Sequence, residues 1–123
     1  MNPLRLLLVE DHADTAKAMA RLLKATGGHA VTIANTAAAA LEHAATNEFD
    51  LVISDIGLPD ITGYELMSQL RDKHGLRGIA LTGYGSDDDH QKSRDSGFVA
   101  HILKPINLDT LNAAIERARI VAV

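Results

Sequence analysis

The sequence predicts an α/β fold: a doubly wound, five-stranded parallel sheet with helices on both faces. Two observations support it. Five short runs dominated by Leu, Ile, Val and Ala, at residues 4–9, 31–34, 51–54, 79–81 and 100–103, are too short for helices and largely lack the apolar–polar alternation of a half-exposed strand. That is the pattern of strands buried on both faces. Each run is followed by a segment with helical spacing or composition, and regular strand–helix alternation with right-handed crossovers leaves few topologies. No repeat or linker interrupts the alternation, so one domain is expected over residues 1–123.

Leu4 to Val9 reads as the first strand. Asp14 or Thr15 is placed to cap a helix through Leu23 that stops near Gly27-Gly28, where glycine ends helices readily. Val31 to Ala34 is the second strand. Thr36 then opens an alanine-rich helix from Ala37 to about Thr46, with high intrinsic propensity and four consecutive alanines suited to close packing. Leu51 to Ser54 is the third strand, ending on Asp55. After a loop containing Gly57, Pro59 and Gly63, the spacing of Leu66, Met67 and Leu70 predicts a helix from Tyr64 to about Lys73. Ile79 to Leu81 is the fourth strand, ending on Thr82. Asp87 to Ser96 is a polar helix with the weakest apolar face of the set. Ala100 to Leu103 is the fifth strand, ending at Lys104-Pro105, and Leu108 to Ile120 closes the chain as an amphipathic helix.

Composition narrows the function. Aromatic residues are 3% of the chain and Trp is absent, so the core must be aliphatic. A net charge of -4 argues against direct nucleic-acid binding, which favours basic surfaces. The absence of cysteine excludes disulfides, thiol chemistry and thiolate zinc sites. No apolar run approaches the roughly 20 residues of a membrane span, and Met1 to Glu10 lacks the small-residue cleavage site of a signal peptide. A cytoplasmic location without membrane insertion is therefore expected.

Ligands of open parallel sheets bind outside the carboxyl ends of the strands. Here those ends carry Glu10 and Asp11 (first strand), Asp55 (third), Thr82 (fourth) and Lys104 (fifth). Three carboxylates in one crevice repel one another, and a hard divalent cation such as Mg²⁺ relieves that repulsion through oxygen ligands. With the cation and Lys104 present, a phosphoryl group can approach a carboxylate nucleophile, and Asp is a known covalent acceptor of phosphate.

The segments LLLVEDH, LVISDIGLPDITGYEL, ALTGY and HILKPINLDTL, in this order, resemble the response-regulator receiver domain over essentially the whole chain. The resemblance implies a flavodoxin-like (βα)5 fold with strand order 2-1-3-4-5. It makes Asp55 the phosphoacceptor for a histidine kinase or a histidine phosphotransfer domain, and the chain a signalling domain that catalyses only its own Asp phosphorylation and dephosphorylation. Glu10, Asp11, Asp55 and the backbone carbonyl of Gly57 match the ligands of Mg²⁺ (or Mn²⁺). Thr82 matches the switch hydroxyl, Lys104 the lysine that pairs with the phosphoryl group, and Lys104-Pro105 is expected to be cis.

His101 stands where most receivers carry Tyr or Phe, so it is either a second switch residue that could respond to pH near neutrality or a half-exposed strand residue with no signalling role. The other histidines, His12, His29, His43, His74 and His90, show no ligand spacing and read as surface residues. Gly57 and Tyr84, two residues beyond Asp55 and Thr82, flank the acceptor; Gly57 leaves one side open to water and Tyr84 is placed to shield the other. The segment GYGSDDD followed by SGFVAHILKP looks most like receivers of hybrid sensor kinases, which suggests a domain of a longer protein, with Met1 and Asn2 foreign to it; the alternative is a free-standing single-domain regulator. The polar fourth helix, the fifth strand and the last helix form the expected partner-binding face, and a homodimer through the last two is a further expectation.

Three other readings compete. A phosphohydrolase of the haloacid-dehalogenase type needs a second Asp two residues after its nucleophile, where this chain has Gly57. A flavodoxin-like cofactor binder needs a Ser-, Thr- and Gly-rich loop after the first strand, where this chain has Glu10-Asp11-His12. A receiver kept only as a phosphorylation-independent interaction module has no need of the complete set Glu10, Asp11, Asp55, Thr82 and Lys104.

Overall fold

A computed structural model describes residues 3–83 and 87–121, with the backbone alone at residues 87–90, 93 and 119–121. The described elements alternate as the apolar runs require: β1 (Arg5–Val9), α1 (Ala13–Gly27), β2 (Ala30–Ala34), α2 (Ala37–Thr46), β3 (Leu51–Asp55), α3 (Gly63–His74), β4 (Gly78–Thr82), α4 (Asp87–Ser96), β5 (Phe98–Leu103) and α5 (Leu108–Val121). The strands form one sheet in the order β2-β1-β3-β4-β5, with every neighbouring pair parallel. The topology is the one the receiver resemblance implied, and the Lys104-Pro105 bond is cis.

Alternate residues of β1 serve opposite faces of the sheet, as the period of a strand demands. Leu6 and Leu8 pack with Met19 and Leu23 of α1 and Leu111 and Ile115 of α5. Leu7 and Val9 pack with Ala37, Ala40 and Ala44 of α2 and with Leu66, Met67 and Leu70 of α3. The buried stripe of α2 is all alanine, so the helix approaches the sheet closely. β3 and β4 are buried along their whole length, whereas the edge strand β2 is buried only at Ala34.

The structure departs from the sequence pattern at several element starts and at one histidine. β2, β4 and β5 begin earlier than their apolar runs, because Ala30, Gly78 and Phe98 pair with Arg5, Val52 and Gly78; backbone pairing continues a strand whatever its side chains contribute. α1 begins at Ala13, so neither Asp14 nor Thr15 caps it. His12 holds the extended cap position without a side-chain hydrogen bond, and Asp14 lies in the first turn, where its charge favours the positive end of the helix. Gly28 ends α1 at φ 67°, donating its N–H to the Lys24 carbonyl, in the left-handed conformation glycine adopts without strain. Finally, His29 is buried, 4% exposed, and its Nδ1 accepts the Leu4 N–H at 2.9 Å. It is a structural histidine and not the surface residue its lack of ligand spacing suggested.

The loop from Ile56 to Thr62 is closed at its base. The Ile56 carbonyl accepts the N–H groups of Leu58 at 3.2 Å and Gly63 at 2.8 Å. Gly63 lies so close to β3 that a Cβ there would run into the Asp55 carbonyl oxygen and the Ile56 Cα. These are backbone atoms that cannot turn aside, so Gly63→Ala is expected to destabilise the fold by about 1–3 kcal/mol in urea denaturation, in the range of overpacked sites. Gly57 faces open space, and Gly57→Ala should stay within about 0.5 kcal/mol of wild type, as surface substitutions do. Equal effects of the two would contradict this account of the loop.

Candidate functional site

The sheet order places β1 beside β3, so the residues that follow these strands meet at one edge of the crevice. Glu10 continues the line of β1: its N–H donates to the Ala34 carbonyl at 3.0 Å, and its side chain is 1% exposed. Asp55 is the last residue of β3 and is buried. Thr82, the last residue of β4, is also buried. It pairs with Leu103, and its carbonyl accepts the Lys104 N–H at 2.8 Å. That bond directs the chain just past β5, so that Lys104 reaches back across β4 to Asp55.

Lys104 Nζ lies 2.8 Å from Asp55 Oδ2 and 3.8 Å from Glu10 Oε1. The other oxygen of Asp55, Oδ1, accepts the Gly57 N–H at 3.4 Å. The geometry thus brings Glu10, Asp55 and Lys104 into direct contact, with Gly57 touching Asp55 through its backbone and Thr82 adjoining on the neighbouring strand. Asp11 follows Glu10 at the mouth, its side chain 33% exposed.

Electrostatics follows from burial and sign. Desolvation first, then the neighbouring Asp55 carboxyl, pushes Glu10 up to about 7, against the opposing pull of the Lys104 ammonium. For Lys104 itself, burial works against the charge, but the hydrogen bond and charge of Asp55, with Glu10 and Asp11 behind it, outweigh burial and hold its pKa above the usual lysine value.

Among the described residues, Glu10 Oε2 is the buried side-chain atom left without a hydrogen-bond partner. A buried acceptor in that state costs free energy unless a cation or donor reaches it. Glu10, Asp11 and His12 offer ligand atoms within 4.8 Å of one another. An orphaned carboxylate oxygen beside further carboxylates is a donor set that fits a hard divalent cation.

A family model described as the response regulator receiver domain matches residues 6–116. The chain belongs to the response regulator receiver family. It is similar to the transcriptional regulatory protein PdtaR of Mycobacterium tuberculosis, 32% identical over 116 residues that cover 94% of this chain and 57% of PdtaR, so it spans little more than half of that relative. It is also 32% identical over 109 residues to the polar-differentiation response regulator DivK of Brucella anthropi, covering 86% of this chain and 88% of DivK. Among solved structures, a CheY-like response regulator receiver domain protein from Methanospirillum hungatei JF-1 superposes with a TM-score of 0.85 at 32% identity, covering 96% of this chain and 95% of the other. The chemotaxis response regulator CheY4 of Vibrio cholerae does so at 0.87 with 26% identity, covering 95% and 99%.

In this receiver domain the second switch candidate, His101, is half-buried on β5 opposite Ala80. It lines a cavity of about 360 Å³ with Leu103, Pro105 and Asn107. A Cβ at Gly57 would meet nothing within 4 Å, so this position faces open space. Tyr84, expected to shield one side of the acceptor, lies outside the described residues, as do Met1, Asn2 and the side chain of His90. His12, expected at the surface, is exposed, and its Nδ1 lies 3.5 Å from Asp11 Oδ1. No helix among the described residues is long and apolar enough to cross a membrane.

In the metal-free protein the raised Glu10 pKa makes the folded state bind that proton more tightly than the unfolded chain. This contribution to stability is complete below the ordinary value of 4.5 and is lost as pH rises through about 7. Lys104→Met removes the opposing cation, so the Glu10 midpoint in a carboxyl ¹³C NMR titration without added metal should move above that of wild type. A midpoint unchanged or lowered would rule out Lys104 as the group that restrains it.

Proposed function

We propose that this receiver domain is a phosphoacceptor, in which Asp55 takes a phosphoryl group from the phosphohistidine of a histidine kinase or histidine phosphotransfer domain. The observation that carries this is the Asp55 carboxylate, buried at the end of β3 and held between the Lys104 ammonium and the Gly57 N–H. An Asp55 oxygen attacks phosphorus, a P–O bond forms as the P–N bond to the donor imidazole breaks, and the leaving nitrogen is protonated from solvent. A separate attack by water on phosphorus breaks the P–O bond to Asp55 and returns the carboxylate and inorganic phosphate.

Each neighbour has a role in that exchange. Lys104, already positioned by Asp55, transfers its ion pair to a phosphoryl oxygen and offsets the charge that builds on the equatorial oxygens. Thr82 offers its hydroxyl to another phosphoryl oxygen and so couples the acceptor to β4 and to the chain leading into α4. Glu10, Asp11, Asp55 and the Gly57 carbonyl are the groups to hold Mg²⁺ or Mn²⁺, with His12 adjacent. When bound, the metal supplies positive charge that neutralises the carboxylates and polarises the phosphoryl group.

A groove of about 610 Å³ opens beside the acceptor, lined by Glu10, His12, Met19, Leu22, Lys104 and Ile106. Its apolar rim offers a donor domain a place to dock beside Glu10 and Lys104. Signal output is assigned to the surface of α4, β5 and α5, where Val99 and Leu103 are exposed large apolar residues on β5. α4 is tethered there by Arg71 of α3, whose guanidinium donates to the Asp95 carbonyl at 2.6 Å. His101, between the two exposed β5 residues, is the switch side chain that Thr82 would displace.

Intact mass after incubation with acetyl phosphate tests this reading. Wild type with Mg²⁺ should gain one phosphoryl group, while wild type with chelator and Asp55→Asn with Mg²⁺ should gain none. No adduct on wild type, under conditions that trap short-lived acyl phosphates, would favour a phosphorylation-independent interaction module instead.

A further inference from the structure

The N-terminus of α2 touches both halves of the acidic site, although none of its residues belongs to that site. On the β1 side, the Ala34 carbonyl accepts the Glu10 N–H at 3.0 Å, and Asn35 Nδ2 donates to the Glu10 carbonyl at 2.9 Å. On the β3 side, Asp60 at the tip of the acceptor loop reaches over to the helix. Its Oδ1 accepts the Ala37 N–H at 3.0 Å and its Oδ2 the Ala38 N–H at 2.9 Å. Thr36, the helix's own cap, accepts the Ala39 N–H at 3.1 Å. One helix end is thus satisfied by two groups, one local and one from a loop 22 residues away.

Thr36 leaves the Ala37 and Ala38 N–H groups open, and the carboxylate that meets them comes from another loop, so it links two separate parts of the chain. It ties the loop carrying Gly57 to the same helix end that holds the backbone of Glu10. The base of that loop is already closed by Gly63 and Ile56, so the Asp60 carboxylate adds a polar tie at the tip to the packing of Leu58 and Ile61. The bonds from Ala38 and then Ala37 hold the Asp60 carboxyl below its usual range, so the tie stays charged at neutral pH.

We infer that Asp60 is a positioning residue: by pinning the β3–α3 loop to the N-terminus of α2, it sets the spacing between Glu10 and Asp11 on one side and Asp55 and the Gly57 carbonyl on the other. This rests on the phosphoacceptor reading above. Release of the loop widens the range of separations between the two sets of metal ligands. Metal affinity and phosphorylation rate then fall together, although Asp60 touches neither metal nor phosphoryl group.

Three variants of the full chain separate positioning from capping: Asp60→Ala, Asp60→Asn, and Thr36→Ala, which removes a cap from the same helix end without touching the loop. Mg²⁺ affinity is read from amide chemical-shift titration, the phosphorylation rate from intact mass with acetyl phosphate, and stability from thermal melting. Asp60→Ala is expected to lose roughly 10-fold in Mg²⁺ affinity, the scale found when groups supporting metal ligands are removed, with a parallel loss in rate. Asp60→Asn, which keeps one acceptor oxygen, should recover part of both. Thr36→Ala should melt earlier with Mg²⁺ affinity unchanged. Wild-type Mg²⁺ affinity in both Asp60 variants, or an equal loss in Thr36→Ala, would overturn the inference alone. Wild-type protein that binds no Mg²⁺ would overturn the phosphoacceptor reading and this inference with it.

Discussion

The contact between Lys104 and the carboxylates of Asp55 and Glu10 is the constraint around which the upper end of this molecule is arranged. Two carboxylates withdrawn from water at neighbouring strand ends are unfavourable, both for lost hydration and for their mutual repulsion. Lys104 offsets part of that cost, with its ammonium 2.8 Å from Asp55 and 3.8 Å from Glu10. It leaves part in place, since Glu10 Oε2 stays buried without a hydrogen bond and its carboxyl is pushed up to about 7. The site is held short of full neutralisation, and that residual demand for positive charge is what fits its oxygen donors to a hard divalent cation.

Main-chain hydrogen bonds just beyond the strands place these side chains. The Ile56 N–H donates to the Leu81 carbonyl, the Lys104 N–H to that of Thr82 and the Glu10 N–H to that of Ala34. Each bond carries the line of the parallel ladder one step further, so functional side chains emerge from backbone that is still held by the sheet. Loops alone would leave them free to drift. Gly63 serves the same end by proximity, since its missing Cβ lets α3 start against the Asp55 carbonyl. The apolar faces beneath, with Leu6 and Leu8 on one side and Leu7 and Val9 on the other, keep β1 central and rigid.

Much of this was legible from residues alone because the signals are local. Runs such as Leu4–Val9 and Leu51–Ser54 announce buried strands by continuity, and Thr36 announces α2 by its capping chemistry, which the structure realises on the Ala39 N–H. The same local logic failed at α1, where Asp14 and Thr15 are good caps by type but the cap position falls two or three residues earlier, at His12. It failed again at His29, because a histidine beside two glycines carries no mark of burial; only the approach of β1 brings the Leu4 N–H to its ring.

By itself the sequence determined the strand–helix alternation, the aliphatic core and the residue types at the strand ends, since each depends on periodicity and side-chain chemistry within a few residues. The family resemblance extended this to strand order and to the roles expected of Glu10, Asp11, Asp55, Thr82 and Lys104. Tertiary structure alone decided which of these groups touch, how deeply Glu10 is buried, and that Asp60 leaves its own loop to cap α2. Those facts depend on the separation of elements far apart in the chain, and that separation is set by packing across the sheet, which no local pattern records.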